Sequence, residues 1–153
     1  MITAKTARIS LRYAHIIRQH LLGEIVGDAH PGVPIVRLND IGNIVESHIE
    51  NIDMVYNNVV VQKYVVMPNH IHLILFVTRE RDARCASPTK SVAAKVINAL
   101  KSLTSRHFVK SLWQRSYHDH IIRNEDDYLR NWQYIDENPA KWEEDKYFAP
   151  GQK

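Results

Sequence analysis

The chain has 153 residues, which favours one domain, and its 44% hydrophobic and 24% charged residues are typical of a globular protein. Its 20 basic and 17 acidic residues leave a formal charge of +3, so nucleic acid is one candidate partner. The single cysteine, Cys85, excludes an internal disulfide and a multi-cysteine zinc site, and no apolar stretch approaches the roughly 20 residues of a membrane span. We therefore expect a cytoplasmic protein with no membrane partner.

Residues 1–38 form an N-terminal part whose pattern is the least regular of the chain and diverges from that of the rest. Apolar and polar residues alternate from Ile9 to Ile17, which predicts an opening strand, although Leu11 to Leu22 could equally form a helix. The three glycines and two prolines from Gly23 to Pro34 predict a loop or a short irregular hairpin.

A helix is predicted to follow. Asn39 or Asp40 can cap its first turn, because their side-chain oxygens accept hydrogen bonds from backbone N–H groups. The apolar positions of this helix recur at helical spacing. They are Ile41, Ile44, Val45, His48, Ile49 and Ile52.

Two strands and two histidines come next. The β-branched run Val59 to Val66 predicts a strand, and a turn at Pro68-Asn69 leads into a second one, so we expect a central antiparallel pair. Strand side chains alternate between faces, which places His70 and His72 on the same face. Two imidazoles on one face can share a metal ion. The spacing alone also fits two histidines with no metal role, but an ionisable pair that opens so apolar a strand needs a partner.

Ser87-Pro88 is a typical helix start, and the predicted helix runs to about Phe108. Some of its residues should face a core, namely Val92, Val96, Ala99, Leu100 and Leu103. Others leave it basic, namely Lys90, Lys95, Lys101, Arg106 and Lys110. This basic surface is either a solvated face, which is slightly favoured, or a phosphate-binding surface.

The run Tyr117 to Arg123 predicts a last strand with His118 and His120 on one face. Asn124 then caps a last helix, with Asp127 as the acidic residue of a capping box, and the helix should end near Asn138 because a proline follows. This order of strands and helices predicts one α+β domain over residues 1–153. Its antiparallel sheet should be ferredoxin-like or similar to an RNA-recognition fold, with helices packed on one face and a C-terminal helix after the last strand.

Helical phase separates the tyrosines of the last helix. The core face is predicted to hold Tyr128, Leu129, Trp132 and Ile135, whereas Asp127, Asn131, Tyr134 and Asn138 share a polar stripe. Tyr134 is therefore a candidate for chemistry, although an ordinary half-exposed tyrosine fits the pattern equally well. Beside a metal ion, a phenol could attack phosphorus reversibly, since phenolate is a tolerable leaving group. Asn138 could offer an oxygen to the metal, and Glu137 is the competing third ligand.

Three stretches carry a family resemblance. They are Val65–His72, Tyr117–Asn124 and Tyr134–Pro139. In this order they resemble the His-hydrophobic-His endonucleases, and within these the single-tyrosine transposases associated with repetitive palindromes. Three motifs in family order are far more specific than any one of them.

The resemblance covers about residues 39 to 142. It implies a ferredoxin-like domain that nicks single-stranded DNA beside a hairpin, with Mg²⁺ or Mn²⁺ as the cofactor. By position it makes His70 and His72 the metal pair and Tyr134 the nucleophile. It places Asn138 where related enzymes carry a polar ligand.

The leading hypothesis is an enzyme that cleaves and rejoins DNA through a covalent 5′-phosphotyrosine, as a monomer or a homodimer. One alternative is a non-catalytic or decayed hairpin-binding protein of the same fold. Another is an unrelated metallohydrolase that uses a metal-activated water and has no need of Tyr134. The basic residues expected to contact DNA are Lys95, Lys101, Arg106 and Arg123.

Overall fold

The computed structural model of the protein describes residues 6–14, 20–27, 34–78, 89–108, 112–114, 117–145 and 148, with the backbone alone for 6–14 and 89–91. Its strands are β1 (Thr6–Ala14), β2 (Gly23–Val26), β3 (Ile35–Leu38), β4 (Val59–Val66), β5 (His70–Thr78) and β6 (His118–Ile122). Its helices are α1 (Asp40–Glu50), α2 (Ile52–Val55), α3 (Thr89–Ser105) and α4 (Glu125–Glu137), and a 3-10 turn covers Trp142–Glu144. The fold is α+β, as the sequence predicts.

Four strands form one antiparallel sheet in the order β4-β5-β1-β6. The opening strand predicted from Ile9 to Ile17 is present as Thr6–Ala14, and residues 15–17 lie outside the described part of the chain. The strand lies inside the sheet between β5 and β6. The prediction that β4 and β5 are both central is wrong for β4, which pairs with β5 alone among the described strands. A β-branched run suits an edge strand as well as a central one, and Val60 of β4 is 45% exposed.

The predicted irregular hairpin is confirmed as β2 paired with β3, while residues 28–33 lie outside the described part of the chain. The helix after it is also confirmed, and Asn39 rather than Asp40 is its cap. Asn39 Oδ1 accepts a hydrogen bond from Gly42 N at 3.0 Å. Asn39 Nδ2 donates to Leu21 O at 2.8 Å, so the cap also fixes the segment before the hairpin.

Helices cover both faces of the sheet. Helices α1 and α3 pack on one face against the inward side chains of β5, which are Ile71, Leu73, Leu75 and Val77. Helix α4 packs on the opposite face, where Ile135 meets Ile74 of β5 and Ile122 of β6. This second face is the one that carries His70 and His72, because they alternate with Ile71 and Leu73 along β5.

The predicted long helix runs from Thr89 to Ser105, and its predicted start at Ser87-Pro88 lies outside the described residues. Two residues expected in the core are exposed instead. Leu103 of α3 is 39% exposed and Leu129 of α4 is 54% exposed. Leu129 lies about 120° around the helix from the buried Ile135, so it points away from the sheet. Within the described residues, no helix has the length and apolar character needed to cross a bilayer.

Candidate metal centre

The two histidines start β5 after a tight turn at Met67 to Asn69. Met67 N donates to His70 O at 2.8 Å, which closes the turn. His70 and His72 are 0% and 1% exposed, and their Nε2 atoms lie 2.9 Å apart. The strand therefore aims both rings at one point, as their shared face predicts.

Asn69 determines which nitrogen of His70 carries the hydrogen. Its side-chain oxygen lies 2.8 Å from His70 Nδ1, and an amide oxygen can only accept a hydrogen bond. Nδ1 therefore donates, which leaves the lone pair of the neutral ring on Nε2, on the side of His72. A hydrogen bond from the second ring nitrogen is the usual way in which proteins orient a metal-binding histidine.

Asp145 brings a carboxylate to the histidine pair. Its Oδ2 lies 3.9 Å from His70 Nε2, and its side chain is 5% exposed. The ligand atoms of His70, His72 and Asp145 all lie within 4.8 Å of one another. The 3-10 turn places this residue, since Asp145 N donates to Trp142 O at 3.1 Å and the buried Trp142 ring packs on His70. Sequence reasoning missed Asp145, which follows two other acidic residues and has no spacing that links it to the histidines.

Helix α4 carries Tyr134 and, one turn later at its C-terminal end, the buried Asn138. The Tyr134 ring stands edge-on to the His72 ring, with centroids 5.2 Å apart. Asn138 caps the C-terminal end of α4, where the helix was expected to end. It is 4% exposed, and its Oδ1 has no hydrogen-bond partner among the described residues. A buried amide oxygen without a partner is costly unless a cation or a bound molecule supplies one.

Glu137, the competing third ligand, forms hydrogen bonds along α4 and beyond its end instead of joining the histidines. Its carboxylate accepts hydrogen bonds from Lys141 Nζ and from Gln133 Nε2. The first of these bonds is the main reason why the pKa of Glu137 lies below its ordinary value, and Gln133 adds to it. The structure does not bring Glu137 into the group formed by the histidines and Asp145.

This donor set fits a divalent cation. Two nitrogens bound to one ion at about 2.1 Å and at right angles would lie about 3.0 Å apart, close to the observed separation. Imidazole nitrogens suit several divalent transition metals, and a carboxylate oxygen suits Mg²⁺ and Mn²⁺. The side chains of His70, His72 and Asp145 could therefore hold a divalent cation.

The basic residues predicted to contact DNA occupy different surroundings. Lys95 is exposed on α3, which lies across the sheet from the histidines, and Arg106 is exposed directly after that helix. Lys101 is partly buried; its Nζ donates to Gln114 O at 2.7 Å, and burial lowers its pKa. Arg123 is exposed in the short link between β6 and α4.

The start of α4 is attached to strand β6. Asn124 Oδ1 accepts from Asp127 N at 2.8 Å, which confirms the predicted cap. The Asp127 carboxylate accepts from His120 Nε2 at 2.7 Å and from Arg123 N at 3.3 Å, so it does not close the capping box on Asn124 as predicted. The hydrogen bond from His120 is the largest cause of the lowered pKa of Asp127.

No protein-family model matches the chain. The chain is 32% identical over 131 residues to an uncharacterized protein of Haemophilus influenzae, a match that covers 74% of this chain and 73% of the other. It belongs to the same family as that protein.

Solved structures identify the fold. A REP-associated tyrosine transposase bound to a REP hairpin superposes with a TM-score of 0.59 at 20% identity, over 92% of this chain and 70% of the other. The protein has the tyrosine transposase fold. A candidate transposase of Deinococcus radiodurans R1 gives a TM-score of 0.53 at 17% identity, over 89% of this chain and 93% of the other. The resemblance that the sequence motifs indicate is thus confirmed at the level of the fold.

Proposed function

We propose that the protein is a transposase that cleaves and rejoins single-stranded DNA beside a hairpin through a covalent 5′-phosphotyrosine on Tyr134. The observation that carries the proposal is the contact between the Tyr134 ring and His72, one of two buried histidines whose Nε2 atoms converge. The hairpin in the complex of the REP-associated transposase supports a hairpin substrate.

The chemistry assigned to Tyr134 is an exchange of phosphodiester bonds. Its phenolic oxygen loses its proton and forms a bond to the scissile phosphorus. The bond from phosphorus to the 3′ oxygen breaks, and that oxygen takes up a proton to leave as a 3′ hydroxyl. The phosphotyrosine conserves the energy of the broken bond, so a second 3′ hydroxyl can reverse the exchange and join a new strand.

The residues around Tyr134 would prepare this step. His70 and His72 would hold Mg²⁺ or Mn²⁺, which supplies charge neutralisation at the scissile phosphate. Asn69 keeps the Nε2 lone pair of His70 directed into the site. Asp145 is the third ligand that we assign, with the unpaired Asn138 Oδ1 as a neutral oxygen donor beside it.

DNA affinity is assigned to exposed cations. Lys95 on α3, Arg106 directly after α3 and Arg123 before α4 would contact phosphates, whereas the Lys101 ammonium donates to a backbone carbonyl. Because Lys95 and Arg106 lie across the sheet from Tyr134, they can share one substrate with it only if the DNA passes around a sheet edge.

The remaining expectations belong to the same proposal. The strands of the four-stranded sheet and the longer helices between them follow in the order β1, α1, β4, β5, α3, β6. This order and the sheet order β4-β5-β1-β6 support a ferredoxin-like domain. We assign residues 1–153 to this one domain and place the protein in the cytoplasm. It would act as a monomer or a homodimer.

The test is formation of a covalent protein–DNA adduct. Purified protein is incubated with end-labelled hairpin single-stranded DNA and Mn²⁺, and the products are separated by denaturing electrophoresis. We expect a labelled band of the mass of the protein plus DNA, which Tyr134→Phe abolishes because the nucleophilic hydroxyl is lost. Tyr128→Phe is the matched control: its ring packs on Trp132, with centroids 5.7 Å apart and away from the histidines, so the adduct should persist.

The other outcomes identify the competing functions. Hairpin binding with no cleavage would identify a non-catalytic binder. Cleavage that persists in Tyr134→Phe would identify hydrolysis by water. Mass spectrometry of the digested adduct should find the nucleotide on Tyr134, and a nucleotide on another residue would contradict the assignment.

A further inference from the structure

Lys63, on the edge strand β4, contacts the side of α4 that lies opposite Tyr134. Its Nζ lies 2.6 Å from Asp136 Oδ1 and 4.8 Å from the centre of the Trp132 ring. Trp132 and Asp136 come two residues before and two residues after Tyr134. At 100° per residue, both lie about 160° around the helix from that tyrosine. Lys63 therefore holds one flank of α4 while Tyr134 projects from the other toward His72.

An extra residue in β4 brings Lys63 to this position. Val61 pairs with Leu75 of β5. Lys63, two residues later, pairs with Ile74, so the ladder contains a bulge between Val61 and Lys63. A regular ladder would pair Lys63 with Leu73, and its side chain would then face the layer of α1 and α3. The bulge places the ammonium group on the face covered by α4.

We propose that Lys63 is a positioning residue, which fixes the rotation of α4 about its axis and so holds Tyr134 beside the histidine pair. The other flank of the helix is attached through Asp127 to His120 on β6, the opposite edge of the sheet. Helix α4 is thus held from both edges. This role rests on the proposed function of Tyr134 and adds to it a residue that lies outside the site.

Because the ion pair between Lys63 and Asp136 is exposed, its effect on the position of α4 can be measured apart from any effect on the free energy of unfolding. The Asp136 side chain is 64% exposed and that of Lys63 is 25% exposed. An ion pair this exposed contributes little to the free energy of unfolding. The packing of α4 comes instead from Ile135, which is 2% exposed. Loss of the Lys63 ammonium should therefore leave α4 folded and in place, but free to rotate by small angles.

The first experiment measures the rate of adduct formation at saturating hairpin DNA and Mn²⁺. We expect Lys63→Met to lower this rate about two- to fivefold, because a contact worth up to about 1 kcal/mol can shift the population of one helix orientation by about that factor. Hairpin affinity and Tm should stay at their wild-type values. Lys63→Arg should restore most of the rate, because a guanidinium can keep both contacts. Arg37→Met is the control: it removes the exposed ion pair with Glu24 in the β2–β3 hairpin and should react like the wild type.

A second measurement needs neither DNA nor activity. The Tyr134 and His72 rings are close enough for a proton NOE between them. We expect this NOE at full intensity in the wild type, in Arg37→Met and in Lys63→Arg, and a weaker NOE in Lys63→Met. If the wild type forms no adduct but the NOE pattern holds, the proposed function fails and the positioning role stands. A wild-type rate and NOE in Lys63→Met would overturn the positioning role, as would a fall in Tm that Lys63→Arg does not restore.

Discussion

Three side chains determine what His70 and His72 can bind. Asn69 directs one lone pair of His70 toward His72, and Asp145 places a carboxylate 3.9 Å from that nitrogen. Asn138 offers a buried oxygen that has no hydrogen-bond partner among the described residues. These contributions are not equal, because a carboxylate neutralises part of the charge of a divalent cation and an amide oxygen only coordinates it. Metal affinity should therefore depend most on the residue that the sequence did not reveal.

We predict a ranking of metal affinities. Asp145→Asn should weaken Mn²⁺ binding at least about tenfold, as loss of a charged ligand does, and Asn138→Ala should weaken it less. Glu137→Gln is the matched control, since its carboxylate is engaged by Lys141 and Gln133. Isothermal titration of the DNA-free protein with MnCl₂ measures all three variants. A larger loss in Glu137→Gln than in Asp145→Asn would show that the third ligand is assigned wrongly.

The site was predictable wherever its residues follow a local rule. His70 and His72 share a face because a strand alternates, and helical phase separates Tyr134 from Tyr128. No local rule of this kind predicts Asp145. This residue lies near the histidines because the Trp142 ring, three residues earlier, packs on His70. Lys63 depends on a bulge whose existence is decided by the pairing of two strands, which no spacing within β4 reveals.

At the scale of elements, Leu22 links the N-terminal hairpin to both the first helix and the histidine turn. Its N–H donates to Pro68 O at 2.9 Å, and its carbonyl accepts from Asn39 N at 3.0 Å. The side chain is 0% exposed. The close approach depends on Gly42 of α1, because a Cβ at that position would lie 2.0 Å from Leu22 O. The backbone at Leu22, which donates to the histidine turn, therefore packs against α1 at a glycine that has no side chain.

We predict that Gly42→Ala destabilises the protein by about 1–3 kcal/mol or more, since backbone must move to admit the methyl group. Thermal unfolding measures the change. Gly27→Ala is the matched control, because a Cβ there would meet nothing within 4 Å, and its Tm should equal that of the wild type. Equal Tm values for all three proteins would contradict the contact between Leu22 and α1.

The elements themselves show which signals a sequence carries. Helix α1 was predictable because Asn39 and its hydrogen-bond partner Gly42 are three residues apart, and the turn before His70 is equally local. The edge position of β4 was not, because it depends on β1 pairing with β5 on the other side. Leu129 was placed on the core face by helical phase, but the contact with the sheet is narrow and centred on Ile135, about 120° away around the helix.

At the scale of the whole molecule, the sheet separates two layers with different roles. One layer, α1 and α3, supplies the larger core and carries the exposed Lys95 and Arg106. The other layer, α4 and the 3-10 turn, holds Tyr134, Asp145 and the sheet face with the histidines. A DNA substrate that contacts both layers must extend past an edge of the sheet. The contribution of α3 to DNA binding therefore shows whether the DNA takes that path.

Salt dependence tests that path. Each phosphate contact that is lost lowers the slope of log K against log salt by about 0.7–0.9. We predict that Arg123→Met lowers the slope by about one such step, and that Lys95→Met with Arg106→Met lowers it by about two, to the same extent for hairpins of different sequence. Lys101→Met is the control, because it also removes one positive charge from α3. It breaks the hydrogen bond to Gln114 O, so it should lower Tm and leave the slope close to that of the wild type.

Fluorescence anisotropy of labelled hairpins over a salt series measures the slopes. If the double variant keeps the wild-type slope while Arg123→Met loses a step, the DNA is confined to the layer of α4 and the basic face of α3 is merely solvated.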